Sequence, residues 1–148
     1  MAILRERIET RLPVDEAFAF VADFATSAQW DPGVAWAERL DTSPLGVGSR
    51  YRLGVRMGGR VTPMEYVVTA FEPVRRVVLA GTGAGVVAVD EIVFEATPTG
   101  TRIDYTADIQ LRGLTRLATP FAGGALARIA RDARDGMQRA LDGRAVAA

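Results

Sequence analysis

Five polar side chains stand where chemistry could be done. Glu6, Asp90, Tyr51, Tyr66 and Tyr105 each fall on the apolar side of an alternating strand pattern. A carboxylate turned toward an apolar space has its charged form disfavoured, so its pKa rises toward the range a general acid or base needs. Two carboxylates sharing such a space without a cation would not both stay ionised. Plainer arrangements fit the same residues: Glu6 paired with an arginine or at a sheet end in water, Asp90 solvated at the start of its strand. Tyrosines commonly bury the ring and hydrogen-bond the hydroxyl. The chain has no histidine and no cysteine. That excludes disulfides, thiol nucleophiles, a histidine base and the usual zinc ligands, so a metal would need converging carboxylates. No metal and no cofactor is expected.

Other motifs read as structure. Arg50, Arg52 and Arg56 alternate outward and form a solvated face, leaving Arg60 and Arg112 as the arginines that could reach an inward site. Gly81-Thr82-Gly83-Ala84-Gly85 lacks the Gly-Lys-Ser/Thr sequence and following helix of a phosphate loop. It reads as a loop between strands.

The elements that must hold these residues follow from periodicity. Residues 3–11 alternate as a first strand, with Leu4, Glu6, Ile8 and Thr10 on one face. Pro13 opens a helix that buries Val14, Ala17, Phe18 and Val21, and Thr26-Ser27 caps a short second helix through Trp30. Asp31-Pro32-Gly33 ends it. Strands are then predicted at 34–40, 50–57, 61–71, 75–81, 86–96 and 101–111, joined by short turns as an antiparallel meander. In 61–71, alternation puts Met64, Tyr66, Val68 and Ala70 on one face and Phe71 on the other. The stretch 115–141 is an amphipathic helix, starting near Thr115 with a kink at Pro120 or at the Thr119 cap itself. Ions are expected to pair at 128/132 and 135/139. Its inner face is thin: Ala125, Ala130, Ala133 and Ala140 are small, and Gly123, Gly124 and Gly136 interrupt good helix formers. Small residues permit either close packing on a sheet or an open cavity. Residues 143–148 are expected to fray.

The 148 residues suffice for one domain, 1–148, with a sizeable core. Arginines (there is no lysine) number 18, equal to Asp plus Glu, so no overall charge favours nucleic acid or an anionic membrane. No stretch has signal-peptide or membrane-span character, which points to a cytoplasmic protein without integral membrane association.

Taken together, Pro13 to Asp23 with Trp30-Asp31-Pro32, the Glu72-Pro73 turn, Phe94 followed by Gly100-Thr101-Arg102, and the helix after Leu114 resemble the START-like helix-grip superfamily. The similarity is to the bacterial polyketide cyclase/dehydrase-like (SRPBCC) group and covers almost the whole chain. It implies an α+β fold: a curved seven-stranded antiparallel sheet around a long C-terminal helix, two short helices after the first strand, and a deep apolar pocket between. The inward positions are then Tyr51, Leu53, Val55, Met57, Met64, Tyr66, Val68, Ala88, Asp90, Ile92, Phe94, Ile103, Tyr105 and Ala107. Phe121, Ile129, Ala133 and Met137 come from the helix, with Trp30 and Trp36 near the mouth. The leading expectation is a binder or carrier of a hydrophobic small molecule such as a lipid or polyketide, neutral or weakly polar, with no charge cluster in its pocket. The alternative is a cyclase or dehydratase in which Asp90 or Glu6 moves a proton and Tyr66 or Tyr105 holds an enolate oxygen. A third reading is a partner-binding module using an exposed apolar patch. A monomer or weak homodimer is expected.

Overall fold

Alternation becomes a single sheet. In the computed structural model, which describes residues 2–113 and 119–147 (backbone only for 119–123), seven antiparallel strands lie in the order β1-β7-β6-β5-β4-β3-β2. They are β1 (Ala2–Thr10), β2 (Val34–Arg39), β3 (Arg50–Met57), β4 (Arg60–Glu72), β5 (Arg76–Gly83), β6 (Val86–Thr97) and β7 (Gly100–Leu111). Strands β2 to β7 form a meander. The chain between β1 and β2 crosses from one sheet edge to the other through α1 (Val14–Val21), a 3-10 turn at Phe24–Thr26 and α2 (Ser27–Trp30). The long α3 spans Thr119–Ala147. This is the helix-grip arrangement. The alternative helix start at Thr115 lies outside the described residues. Residues 143–147, expected to fray, continue α3.

Two interruptions bend the sheet and reset its alternation. On β4 the register shifts between Val68 and Ala70. Beyond that bulge the faces exchange, so Phe71, predicted outward, turns into the core and meets Phe18 of α1 edge-to-face at 5.4 Å. On β2 the shift lies between Val34 and Trp36. Trp36, placed near the mouth by sequence, instead covers Gly54 on the outer face and is 41% exposed. A side chain at Gly54 would collide with that indole.

Helix α3 grips the sheet through its C-terminal half. Met137 and Leu141 are buried, whereas Ile129 is 40% exposed. Gly136 explains one interruption of the helix: a Cβ there would lie 1.8 Å from the Trp30 carbonyl oxygen, so only glycine lets α3 approach α2. On the β1 side, Arg134 Nη1 donates to Glu6 Oε2 at 3.2 Å, and Gln138 exchanges hydrogen bonds with the Glu9 backbone. The expected 128/132 and 135/139 ion pairs do not form among the described residues. Asp135 pairs with Arg134 instead.

Candidate functional site

The concave face is filled at one end and hollow at the other. At the filled end, α1 packs Phe18 onto Phe94 at 5.0 Å and onto Phe71, over Val68, Ile92 and Ile103, all buried. At the hollow end, the cross-strand rows run through small residues. Gly81 pairs with Ala88, Asp90 pairs with Ala107, and α3 presents Ala130 and Ala133. Small side chains on both walls leave a cavity of about 170 Å³. For scale, a cavity of about 150 Å³ accepts benzene.

The five residues Gly81 to Gly85, read as a loop, are mostly sheet: β5 runs to Gly83, and the turn is Ala84-Gly85. The glycines serve the cavity wall. A Cβ on Gly81 would sit 2.4 Å from the Tyr66 ring, so the tyrosine lies flat across the neighbouring strand. Gly83 makes the same room for Met64.

Alternation selects inward residues without giving their height along the sheet. Of those predicted, Trp30, Leu53, Val55, Met57, Met64, Tyr66, Ala88, Asp90, Tyr105, Ala107, Ile129, Ala133 and Met137 border the cavity, as does Glu6. Tyr51, Val68, Ile92, Phe94 and Ile103 face inward but lie in packed core away from it. The Phe121 side chain lies outside the described residues. Trp30 is not at the mouth; it is 4% exposed.

The polar residues gather in two groups. On the β1 side, Glu6 is held by Arg134, the plainer of its two arrangements. That arginine was not singled out from sequence. Arg60 is solvent-exposed and Arg112 borders no part of the cavity. Arg56 does border it, where its amide donates to Gly33 O and its guanidinium to Pro32 O. Beside Glu6, starting at its cross-strand partner Tyr105, lies the second group. The Tyr105 hydroxyl donates to Asp90 Oδ2 at 2.5 Å, and Asp90 is only 7% exposed. Asp31, also on the wall, accepts from the Gly33 amide at 2.7 Å. Burial pushes the Asp90 carboxyl up to about 6, opposed by the Tyr105 hydrogen bond and reinforced by Asp31. Burial likewise raises Asp31 to about 6, opposed by Gly33 N–H and reinforced by Asp132. Desolvation and the nearby Asp90 and Asp31 charges hold Tyr66 and Tyr105 well above the usual phenol range. The wall therefore carries a carboxylate, Asp31, beyond the Glu6 and Asp90 that alternation placed inward. Sequence reasoning treated Asp31 as part of a turn, and an Asp-Pro-Gly run carries no period that would aim its carboxylate inward.

Aromatic rings surround this second group. Tyr66 meets Phe24 at 5.1 Å, Phe24 meets Trp30 at 6.4 Å, and Trp30 meets Tyr105 at 6.2 Å, all edge-to-face. All four rings line the cavity. The Trp30 indole N–H is buried without a hydrogen-bond partner among the described residues. No group of carboxylates suited to a metal ion occurs among the described residues.

A curled seven-stranded sheet closed on a long helix, hollow between them, is the helix-grip fold, and solved structures share it. The aromatase/cyclase Zhui from Streptomyces sp. R1128 matches over 97% of this chain and 93% of its own, with a TM-score of 0.76 at 17% identity. A protein of Thermus thermophilus, TTHA0849, matches over 93% and 95%, TM-score 0.78, at 13% identity. A START superfamily protein from Mycobacterium smegmatis matches over 96% and 95%, TM-score 0.72, at 16% identity. The family model described as "polyketide cyclase / dehydrase and lipid transport" matches residues 1–142, and the chain belongs to that family. No curated protein sequence matches it. No helix among the described residues is long and apolar enough to cross a membrane.

Proposed function

We propose that this protein binds a small, mainly apolar molecule in the cavity between sheet and α3, with the molecule's polar end toward Asp90 and Tyr105. The observation that carries the reading is the hollow itself: about 170 Å³ walled by Leu53, Met64, Ala88, Ala107, Ala133 and Met137 with a few polar groups among them. That is the make-up of a small-molecule site. Apolar burial at about 25 cal/mol per Å² supplies the affinity, and the polar groups supply orientation. An environment-sensitive apolar dye should bind with 1:1 stoichiometry, and Ala133→Phe should abolish binding while leaving a cooperative thermal transition. A dye that binds the variant as well as the parent would sink the proposal.

One contact favours a second reading, proton-transfer chemistry in the same cavity. Asp90 is titratable near neutrality and bonded to a tyrosine, the pairing expected of a base and an enolate-binding group. The ionised Asp90 takes a proton from the carbon next to a substrate carbonyl. Once the carboxyl is protonated, the Tyr105 hydroxyl is free to turn and donate to the enolate oxygen. Deuterium exchange at the methylene of 1-phenylbutane-1,3-dione, followed by NMR, tests this. Wild type should accelerate exchange and Asp90→Asn should not. Equal rates in both would leave binding alone.

A further inference from the structure

The geometry points to a protonated amine on an apolar body as the ligand class of this cavity, held by Asp31 and Asp90 inside the arc of Tyr66, Phe24, Trp30 and Tyr105. The inference rests on the small-molecule reading and narrows it, replacing the neutral ligand expected from sequence. Two features carry it.

The first is an imbalance of charge. Carboxylates as buried as Asp90 are ordinarily paired with a cation. Here Glu6 has Arg134, but neither Asp31 nor Asp90 has an arginine partner among the described residues. Their hydrogen bonds come from a backbone amide and a phenol, which leave the negative charge in place. The second is the aromatic arc. Its four rings are linked edge-to-face and all border the cavity. Ring faces carry negative potential and attract ammonium groups, most strongly where water is excluded. Carboxylates and ring faces thus favour the same sign of charge in one space; of the two arginines on the wall, Arg134 is paired with Glu6 and Arg56 donates to Pro32 O. The size of the hollow limits the apolar body to about one ring with a short chain.

Calorimetric titration of the wild-type protein at pH 7.5 with 2-phenylethylamine, 2-phenylethanol and 3-phenylpropanoate tests the proposal, since the three probes share a body and differ in charge. The amine should bind about tenfold more tightly than the alcohol, as a partly desolvated cation–π and carboxylate contact predicts, and the acid most weakly. The double variant Asp31→Asn/Asp90→Asn should bring amine and alcohol within about threefold of each other. Wild type that binds the alcohol as well as or better than the amine overturns the cation proposal and leaves the small-molecule reading standing. Wild type that binds none of the three overturns both. An amine preference that survives intact in the double variant, with its thermal transition still cooperative, also overturns the assignment to these carboxylates.

Discussion

The concave face has two ends built from the same strands, and they solve opposite problems. At one end the inward positions are Phe94, Ile92, Ile103 and Val68, with Phe18 pressed onto them by α1. At the other, the same strands offer Ala88, Ala107 and Gly81, and α3 stands over them with alanines and a half-exposed Ile129. Packing density supports stability in the first case; its absence makes room in the second. The difference teaches that hydrophobic alternation specifies a buried face, while side-chain volume along that face specifies whether it is core or container.

The contrast can be broken most directly with truncations. Phe94→Ala at the packed end should cost about 4 kcal/mol in denaturant unfolding, from lost transfer energy plus a new cavity. Ile109→Ala at the hollow end should cost only about 1 kcal/mol, because that side chain already lacks neighbours on its cavity side. Equal losses at the two sites would mean that the hollow end collapses in solution.

Charge at the hollow end gives the next effect. The Asp90 pKa rises from 3.8 to about 6 on folding. An ionised carboxylate therefore opposes folding, and the opposition is complete above about pH 6 and absent below about pH 4. Two units correspond to about 3 kcal/mol. Asp90→Asn should thus be more stable than wild type by about 2 kcal/mol at pH 7.5, allowing for a weaker bond to Tyr105, and by almost nothing at pH 4. Urea unfolding at the two pH values checks the difference. A variant less stable than its parent at pH 7.5 would show that Asp90 is neutralised by a cation.

Additions sharpen the comparison from the other side. Ala17 is fully buried on the inner face of α1, and Ala17→Leu should overpack the filled end at a cost of about 2 kcal/mol. Ala88→Leu, pointing into the hollow, should change stability by under about 0.5 kcal/mol while reducing dye binding. An effect away from both ends is expected at the β4–β5 turn, where Val74 holds a left-handed φ of 68°. A β-branched residue is strained there, so Val74→Gly should stabilise by about 1 kcal/mol, seen as a higher Tm with no change in dye binding.

Much of the fold was legible because it is written in local periods. Strand boundaries agree to within about two residues, and Glu6, Asp90, Tyr66 and Tyr105 sit on the faces their alternation assigns. The failures share a cause. Phe71 and Trp36 were misplaced because a bulge adds one residue and reverses every face beyond it. The height of each inward residue along the sheet, which sends Ile92 to core and Asp90 to cavity, depends on where α1 and α3 land on the sheet. Asp31 and Arg134 border the cavity from the α2–β2 loop and from α3, two elements that Gly136 lets approach each other at Trp30. The sequence by itself determined an antiparallel sheet with one apolar face and a thin-faced helix to cover it, since those features arise from neighbours in the chain. Only the tertiary structure decided which charges meet inside, because burial and pairing depend on residues far apart in sequence.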